Sequence, residues 1–382
     1  MSSTGAANHL IRMWYSVLCF ILLATTSVSE MKQDPDSTNT VLKTAHVPNE
    51  YTQDMKTGSA PGLPGVLGQQ RLKQYIAKFH SGVFAAIQSG VCGSQSGSQL
   101  VTMTTGEQFC CQLRQNTHMV QGELLTYHLA RLLRLDNRVP VTVATQIQYT
   151  NNRLQVIRSA MASEARWSLG AMLVCSAFVQ NLEEVALPVE MREMVHQYFP
   201  KMSKQGEMEF KASNFPWFNE ASSAPLWTQW VELVVLDYLT GNTDRLVNVL
   251  TSYHYNSDIV DAPVHNLAQS PSGDLVLFDH DRSFWIGYHF ADNDKQIKMY
   301  QEFFLMHMCT FPAKLLTSFG HICKQPEKLG DTLIKSLQML DARSFELVYP
   351  ISHNVVEKLQ ERVGHLCDHI IQTCKLSIVK EH

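Results

Sequence analysis

The chain has no dense run of lysine or arginine, and its formal charge is −4 over 382 residues. A strong basic field is what draws a protein to a polyanion, so nucleic acid is excluded as a partner. No Cys-x-x-Cys pair is present and no cysteine–histidine group has zinc-ligand spacing, which removes a structural zinc. Asn-x-Ser/Thr acceptor sites, long repeats and low-complexity blocks are missing as well. Long apolar runs are almost missing. The one run, Met13 to Val28, has 16 residues, short of the roughly 20 that cross a bilayer as a helix.

That run follows His9 and Arg12 and ends near "SVS" before Glu30. It fits the core of a cleaved signal peptide, and it equally fits a short uncleaved signal anchor. Either reading puts the rest of the chain in the secretory lumen, as a single-pass type II membrane protein or cleaved and secreted. The membrane would be touched only through residues 1–28. Nine cysteines are present, one of them (Cys19) inside the apolar run. The eight that remain, an even number in an oxidising compartment, point to disulfides.

Residues 29–70 are polar and end in "TGSAPGLPGVLGQQ", the composition of a flexible stem. The following ~310 residues are large for one core and divide into two lobes, 71–185 and 186–382. The first has Gly-rich turns around strand-like runs at Gln99–Met103 and Gln108–Leu113. A helix follows in "GELLTYHLARLLRL", and a strand in "VPVTVATQIQYT". The second lobe is mainly helical. In "LWTQWVELVVLDYL", Trp227, Trp230, Val231, Val234, Val235, Tyr238 and Leu239 recur at helical spacing, the mark of a central buried helix. A last helix starts near Ser352.

Two acids leave apolar elements. Asp244 follows the buried helix in "TGNTDR", and Asp279 ends the strand of "GDLVLFDHDRSF". Together with Glu123 on the first lobe's helix they form a set that phosphoryl transfer uses. A Gly-rich hairpin approaches the phosphates, a strand cation faces a helix acid, a catalytic-loop Asp takes the hydroxyl proton, and a second Asp holds the metal. The candidates in chain order are Gly93 and Gly97 in the hairpin, a cation near Leu113, Glu123, Asp244 and Asp279.

"VVLDYLTGNTDRLVNVL", "SGDLVLFDHDRSFWIGYH" and "VQGELLTYHLARLLRLDNRVPV" resemble the Four-jointed family of atypical secretory-pathway kinases, over about Cys92 to Cys374. The resemblance implies an α+β, bilobal protein-kinase-like fold. It implies transfer of phosphate from ATP, with Mn or Mg, to Ser/Thr of extracellular cadherin domains such as those of Fat and Dachsous, in planar cell polarity and growth. It assigns Asp244 as the catalytic acid of the loop and Asp279 and Glu123 to the metal. The family's basic strand residue falls at Gln112, with Arg114 two residues on and therefore on the same strand face. Asn248 stands near the place of a metal-binding Asn. Cys92, Cys110, Cys309 and Cys374 match family cysteines, with Cys92–Cys110 and Cys309–Cys374 as the expected disulfides and Cys323–Cys367 as a third.

Two rival readings remain at this point. One is a Golgi glycosyltransferase in which Asp279-His280-Asp281 is a metal-binding DxD triplet. The other is a kinase-shaped scaffold or ligand that has lost transfer, a reading that turns on Gln112.

Overall fold

In the computed structural model the described residues are 68–92, 97–148, 165, 167–205 and 225–376. The apolar run at 13–28, nearly all of the stem, and Gly93 lie outside them.

The first helix, α1 (Gln69–Ser81), buries Leu72, Ile76 and Phe79 at helical spacing. It begins just inside the stretch expected to be stem, which the apolar period of "RLKQYIAKF" signals in hindsight. Five strands follow: β1 (Phe84–Ser89), β2 (Gln99–Met103), β3 (Gln108–Arg114), β4 (Thr142–Gln146) and β5 (Met172–Ala177). They form one antiparallel sheet in the order β1-β2-β3-β5-β4. Alternation along β3 sends Phe109 and Cys111 to the core, where Phe109 meets Phe79 at 4.9 Å between ring centroids. Cys110, Gln112 and Arg114 take the other face.

Helix α2 (Thr117–Leu132) is capped by Asn116, whose side chain accepts from the amide of Met119 at 3.0 Å. From Val120 to Ala130 every residue is buried, polar ones included. The helix is thus enclosed by the sheet on one side and by the helical part of the molecule on the other.

A small antiparallel sheet joins β6 (Glu183–Ala186), β7 (Pro263–Gln269) and β8 (Leu275–Leu277) in that order. The remainder is helical: α3 (Val189–Gln205), α4 (Pro225–Thr240), α5 (Leu246–Tyr253), α6 (Trp285–Asn293), α7 (Lys295–Met306), α8 (Ala313–Ile322), α9 (Leu329–Leu340), α10 (Ala342–Val348) and α11 (His353–Asp368). Helix α4 is the central one. Its apolar stripe is buried, and so are the polar Gln229, Glu232 and Asp237. Each of these has a partner. Gln229 accepts from the amide of Leu275 at 2.6 Å, Glu232 from Arg138 at 2.7 Å, and Asp237 from Arg245. The first ties α4 directly to the strand that delivers Asp279, and the second does so through Arg138, whose carbonyl accepts from the Leu277 amide at 2.8 Å.

Among the described residues four disulfides are present: Cys92–Cys110, Cys111–Cys175, Cys309–Cys374 and Cys323–Cys367. The adjacent Cys110 and Cys111 serve opposite faces of β3, and Cys111 stands directly across from Cys175 in the register with β5. Two others tie α11 and the π turn after it, His369–Thr373, to the segments around α8.

The expected signal anchor and membrane attachment need correction. Among the described residues no helix is long and apolar enough to cross a membrane, and residues 13–28, which prompted that expectation, lie outside them. Membrane attachment is therefore dropped from the reading.

Candidate active site

Arg114 closes β3 and turns into a nest of acids. Its Nη2 contacts Glu123 Oε1 and lies 2.5 Å from Asp279 Oδ1, while Nη1 reaches Asp281 Oδ2 at 3.0 Å. The residue is 5% exposed. Burial opposes its charge, but Glu123, Asp279 and Asp281 outweigh that and raise its pKa above the ordinary arginine value. Burial pushes the Glu123 carboxyl up, against Arg114 and with Asp279. Burial also pushes Asp281 up to about 7, again against the pull of Arg114.

The loop that presents these acids is fixed to α2 by a close approach. A Cβ on Gly122 would lie 2.5 Å from the carbonyl oxygen of His280 and 3.2 Å from that of Asp281. Glu123, the next residue, accepts the His280 amide on Oε2 at 3.0 Å. Asp279 itself has φ +50° and Phe284 φ +52°, so the loop is bent sharply at both ends.

Asp244 leaves α4 through a turn at Gly241, whose φ is +66°. Asn242 Oδ1 accepts from the amides of Asp244 and Arg245 at 2.9 and 3.2 Å and fixes the next two residues. The Asp244 carboxylate accepts from Asn266 Nδ2 at 2.7 Å, with His265 Nδ1 at 3.3 Å on the same oxygen and Arg282 Nε at 4.0 Å from the other. That hydrogen bond, helped by the charges of Asp244 and Asp279, raises the pKa of His265 despite partial burial.

Under both acids sits Arg245, fully buried. Its Nε lies 3.1 Å from each oxygen of Asp237, Nη1 donates to the Phe278 carbonyl at 2.9 Å, and Nη2 to His280 Nδ1 at 3.1 Å. One guanidinium thus joins α4, the Asp244 turn and the loop at Asp279. Burial and the nearby Arg245 hold the His280 imidazole well below its usual range, so it is neutral. Removing one partner of the buried Arg245–Asp237 ion pair costs about 3–5 kcal/mol.

Of the residues singled out in the sequence, Arg114, Glu123 and Asp279 converge on one point. Asp244 stands in the next cluster, and its charge is felt at Asp281. Gln112 lies two residues before Arg114 on the same face, with Ser98 and Gly97 beside it: Ser98 Oγ is 3.5 Å from Gln112 Oε1, and a Cβ on Gly97 would be 3.8 Å from Gln112 Nε2. Arg114, not Gln112, meets the helix acid. Asn248 is exposed on α5, away from this cluster. The asparagine that meets Asp244 is Asn266, which sequence spacing did not single out. The signal was Asn266-Leu267-Ala268 just before the strand that ends at Asp279; 22 residues separate Asn266 from Asp244, too far for a spacing rule to join them.

Glu123 and Asp279 offer hard carboxylate oxygens that converge on one cationic nitrogen, a donor type that fits Mg or Mn. Asn266, beside Asp244, has its Oδ1 buried without a hydrogen-bond partner among the described residues.

A sheet crossed by an acid-bearing helix, over a helical body that supplies two more acids, is a protein-kinase-like arrangement of the atypical secretory type. The Golgi casein kinase crystal structure overlays with a TM-score of 0.50 at 14% identity, covering 81% of this chain and 76% of that one. This fold favours the kinase-like reading over the DxD glycosyltransferase one. Over residues 70–377 the chain matches the family described as Four-jointed box protein middle domain, and it belongs to that family. Four-jointed box protein 1 of Xiphophorus maculatus is 28% identical over 286 residues, 74% of this chain and 62% of that protein. The Drosophila melanogaster protein named Extracellular serine/threonine protein kinase four-jointed is 27% identical over 257 residues, 58% of this chain and 43% of that protein. The chain thus spans less than two thirds of the length of these relatives.

Proposed function

We propose that the chain is a secretory-pathway protein kinase that transfers the γ-phosphoryl group of ATP to Ser/Thr of extracellular cadherin domains, in the Golgi lumen or after secretion. The observation that carries this is the single contact point of Arg114 with Glu123 and Asp279. It supplies a strand cation, a helix acid and a loop acid in one place, as phosphoryl transfer requires. The family relative named as an extracellular serine/threonine kinase supports the reaction and the compartment. Cadherin domains are the substrate class that the Four-jointed resemblance implies, and planar cell polarity and growth are the processes.

Asp244 accepts the acceptor hydroxyl's proton. Asn266 and His265 hold one of its oxygens, and the other meets only Arg282 Nε at 4.0 Å among the described residues, which leaves it for the hydroxyl. Glu123 and Asp279 would hold Mg or Mn, which when bound neutralises charge on the β- and γ-phosphate oxygens. Arg114 faces the phosphates with a planar guanidinium suited to paired oxygens. Gln112 and Gly97 line the strand and turn over them.

The test is purified protein with radiolabelled ATP, Mn or Mg, and a cadherin-domain fragment. Transfer to Ser/Thr is the expected result. No transfer, together with no shift in melting temperature on adding ATP and metal, would hand the fold to a scaffold role.

A further inference from the structure

Arg114 divides its nitrogens unequally. Nη2 serves both Glu123 and Asp279, the carboxylates read above as holding the metal. Nη1 serves Asp281 alone. Nε is buried and has no partner among the described residues. A divalent cation held by Glu123 and Asp279 would compete with Nη2 for their oxygens, because like charges repel in a buried site. Asp281 would then be the acid still paired with the guanidinium.

We propose that Asp281 is the positioning residue for Arg114: it keeps the guanidinium in the cleft, aimed at phosphate oxygens, once Glu123 and Asp279 are engaged with metal. The inference rests on the phosphoryl-transfer reading and gives the second acid of Asp279-His280-Asp281 a task of its own. The geometry is suited to it. The Asp281 side chain is 11% exposed, so its hold on Arg114 is not screened as a surface pair would be. The carbonyls of His280, Asp281 and Ser283 lie against Gly122, so Asp281 and Glu123 share one rigid frame. Held through Nη1, Arg114 keeps Nε and Nη2 free for a phosphate's non-bridging oxygens.

The test uses the full chain and its variants D281N, D281A and D281E. Calorimetry measures Mn alone and then ADP in saturating Mn, and steady-state assays separate KM for ATP from kcat. For D281N the expected result is Mn affinity unchanged within about twofold and ADP affinity and KM weakened about tenfold, the worth of one charge-assisted hydrogen bond. Little change in kcat should accompany this. D281E, which keeps the charge, should recover part of the ADP affinity. A collapse of Mn affinity in D281N makes Asp281 a metal ligand and overturns the proposal, as does unchanged ADP affinity. D281N is the milder change should D281A fail to fold. If wild-type protein neither binds Mn with ADP nor transfers phosphate, the kinase reading falls. A crystal structure of D281N then decides the anchoring by itself: a guanidinium turned away from its wild-type place supports it, and an unmoved one overturns it.

Discussion

Asn266 donates to Asp244 Oδ2 at 2.7 Å from a backbone position with φ +56° inside β7. A left-handed residue within a strand costs about 1–2 kcal/mol, and Asn bears it better than most. The strand is bent at this point so that the amide faces the acid. The same residue's carbonyl accepts from the amide of Phe278 at 3.1 Å, immediately before Asp279. Asn266 therefore touches the two acids' segments at once, one through its side chain and the other through its backbone.

This separates stability from activity at one position. Asn266→Gly removes the side chain but relaxes the backbone, so its melting temperature should be at or above that of wild type. Asn266→Ala keeps the strain and should melt lower. Both should lose about 10- to 100-fold in kcat, because both free the Asp244 carboxylate. Asn266→Gly with wild-type kcat would show that the bond does not position the acid.

Asp244 and Asp279 should fail differently. Asp244→Ala should lower the rate by about 10²–10⁴ while ATP and metal still raise the melting temperature. Asp279→Ala should abolish both transfer and that stabilisation if its carboxylate holds the metal as proposed. Thermal shift with ATP and Mn, measured on both, checks the assignment. Loss of the shift in Asp244→Ala alone would exchange the two roles.

Gly122 and Gly364 make a matched pair. An alanine methyl at Gly122 would press on the His280 carbonyl, whereas at Gly364, on α11, nothing lies within 4 Å. Gly122→Ala should cost about 1–3 kcal/mol by overpacking and displace the Asp279 loop, lowering activity. Gly364→Ala should be neutral or stabilising by about 0.5–1 kcal/mol. Denaturant melts and transfer assays on the two report this. Equal behaviour would mean that the loop is not seated on α2.

The acids and the helices that carry them were legible in the sequence because each is local. Asp244 follows the apolar period of α4, Asp279 follows a short apolar strand, and Glu123 belongs to a helix, although that helix begins at Thr117, earlier than the run "GELLTYHLARLLRL" suggests. The partners were not legible, because they are set by register and turn. Gln112 and Arg114 are equivalent in a strand's alternation, and only the end of β3 decides that Arg114 reaches Glu123. Asn266 comes from a strand long after its partner. Cys111 shows the same limit. Alternation says it faces away from Cys110, but only the register of β3 with β5 puts Cys175 opposite it.

Acid should weaken the fold through His128. This residue lies in the middle of α2, fully buried, with Nδ1 3.1 Å from the Ser336 hydroxyl of α9. Burial first, and Arg131 second, push its pKa down to about 3 from 6.5, and Asp341 opposes only in part. The folded chain therefore keeps this imidazole neutral, while the unfolded chain takes up a proton below about 6.5. The unfolded state binds more protons in that window, so the contribution is full above about pH 6.5 and is lost as pH falls toward 3. His280, also buried and held low, acts in the same direction. Asp281, with its pKa raised to about 7, acts in the opposite one: it favours the fold below its ordinary value and loses that as pH rises through 7. A single melting curve sums all three, so the comparison is between variants. His128→Gln should keep a hydrogen bond toward Ser336 and remove the titration. Metal-free melts at pH 7.5, 6.0 and 4.5 should show a smaller drop on acidification for His128→Gln than for wild type, whatever the two temperatures are at pH 7.5. Parallel curves would mean that His128 takes up its proton without unfolding the helix around it.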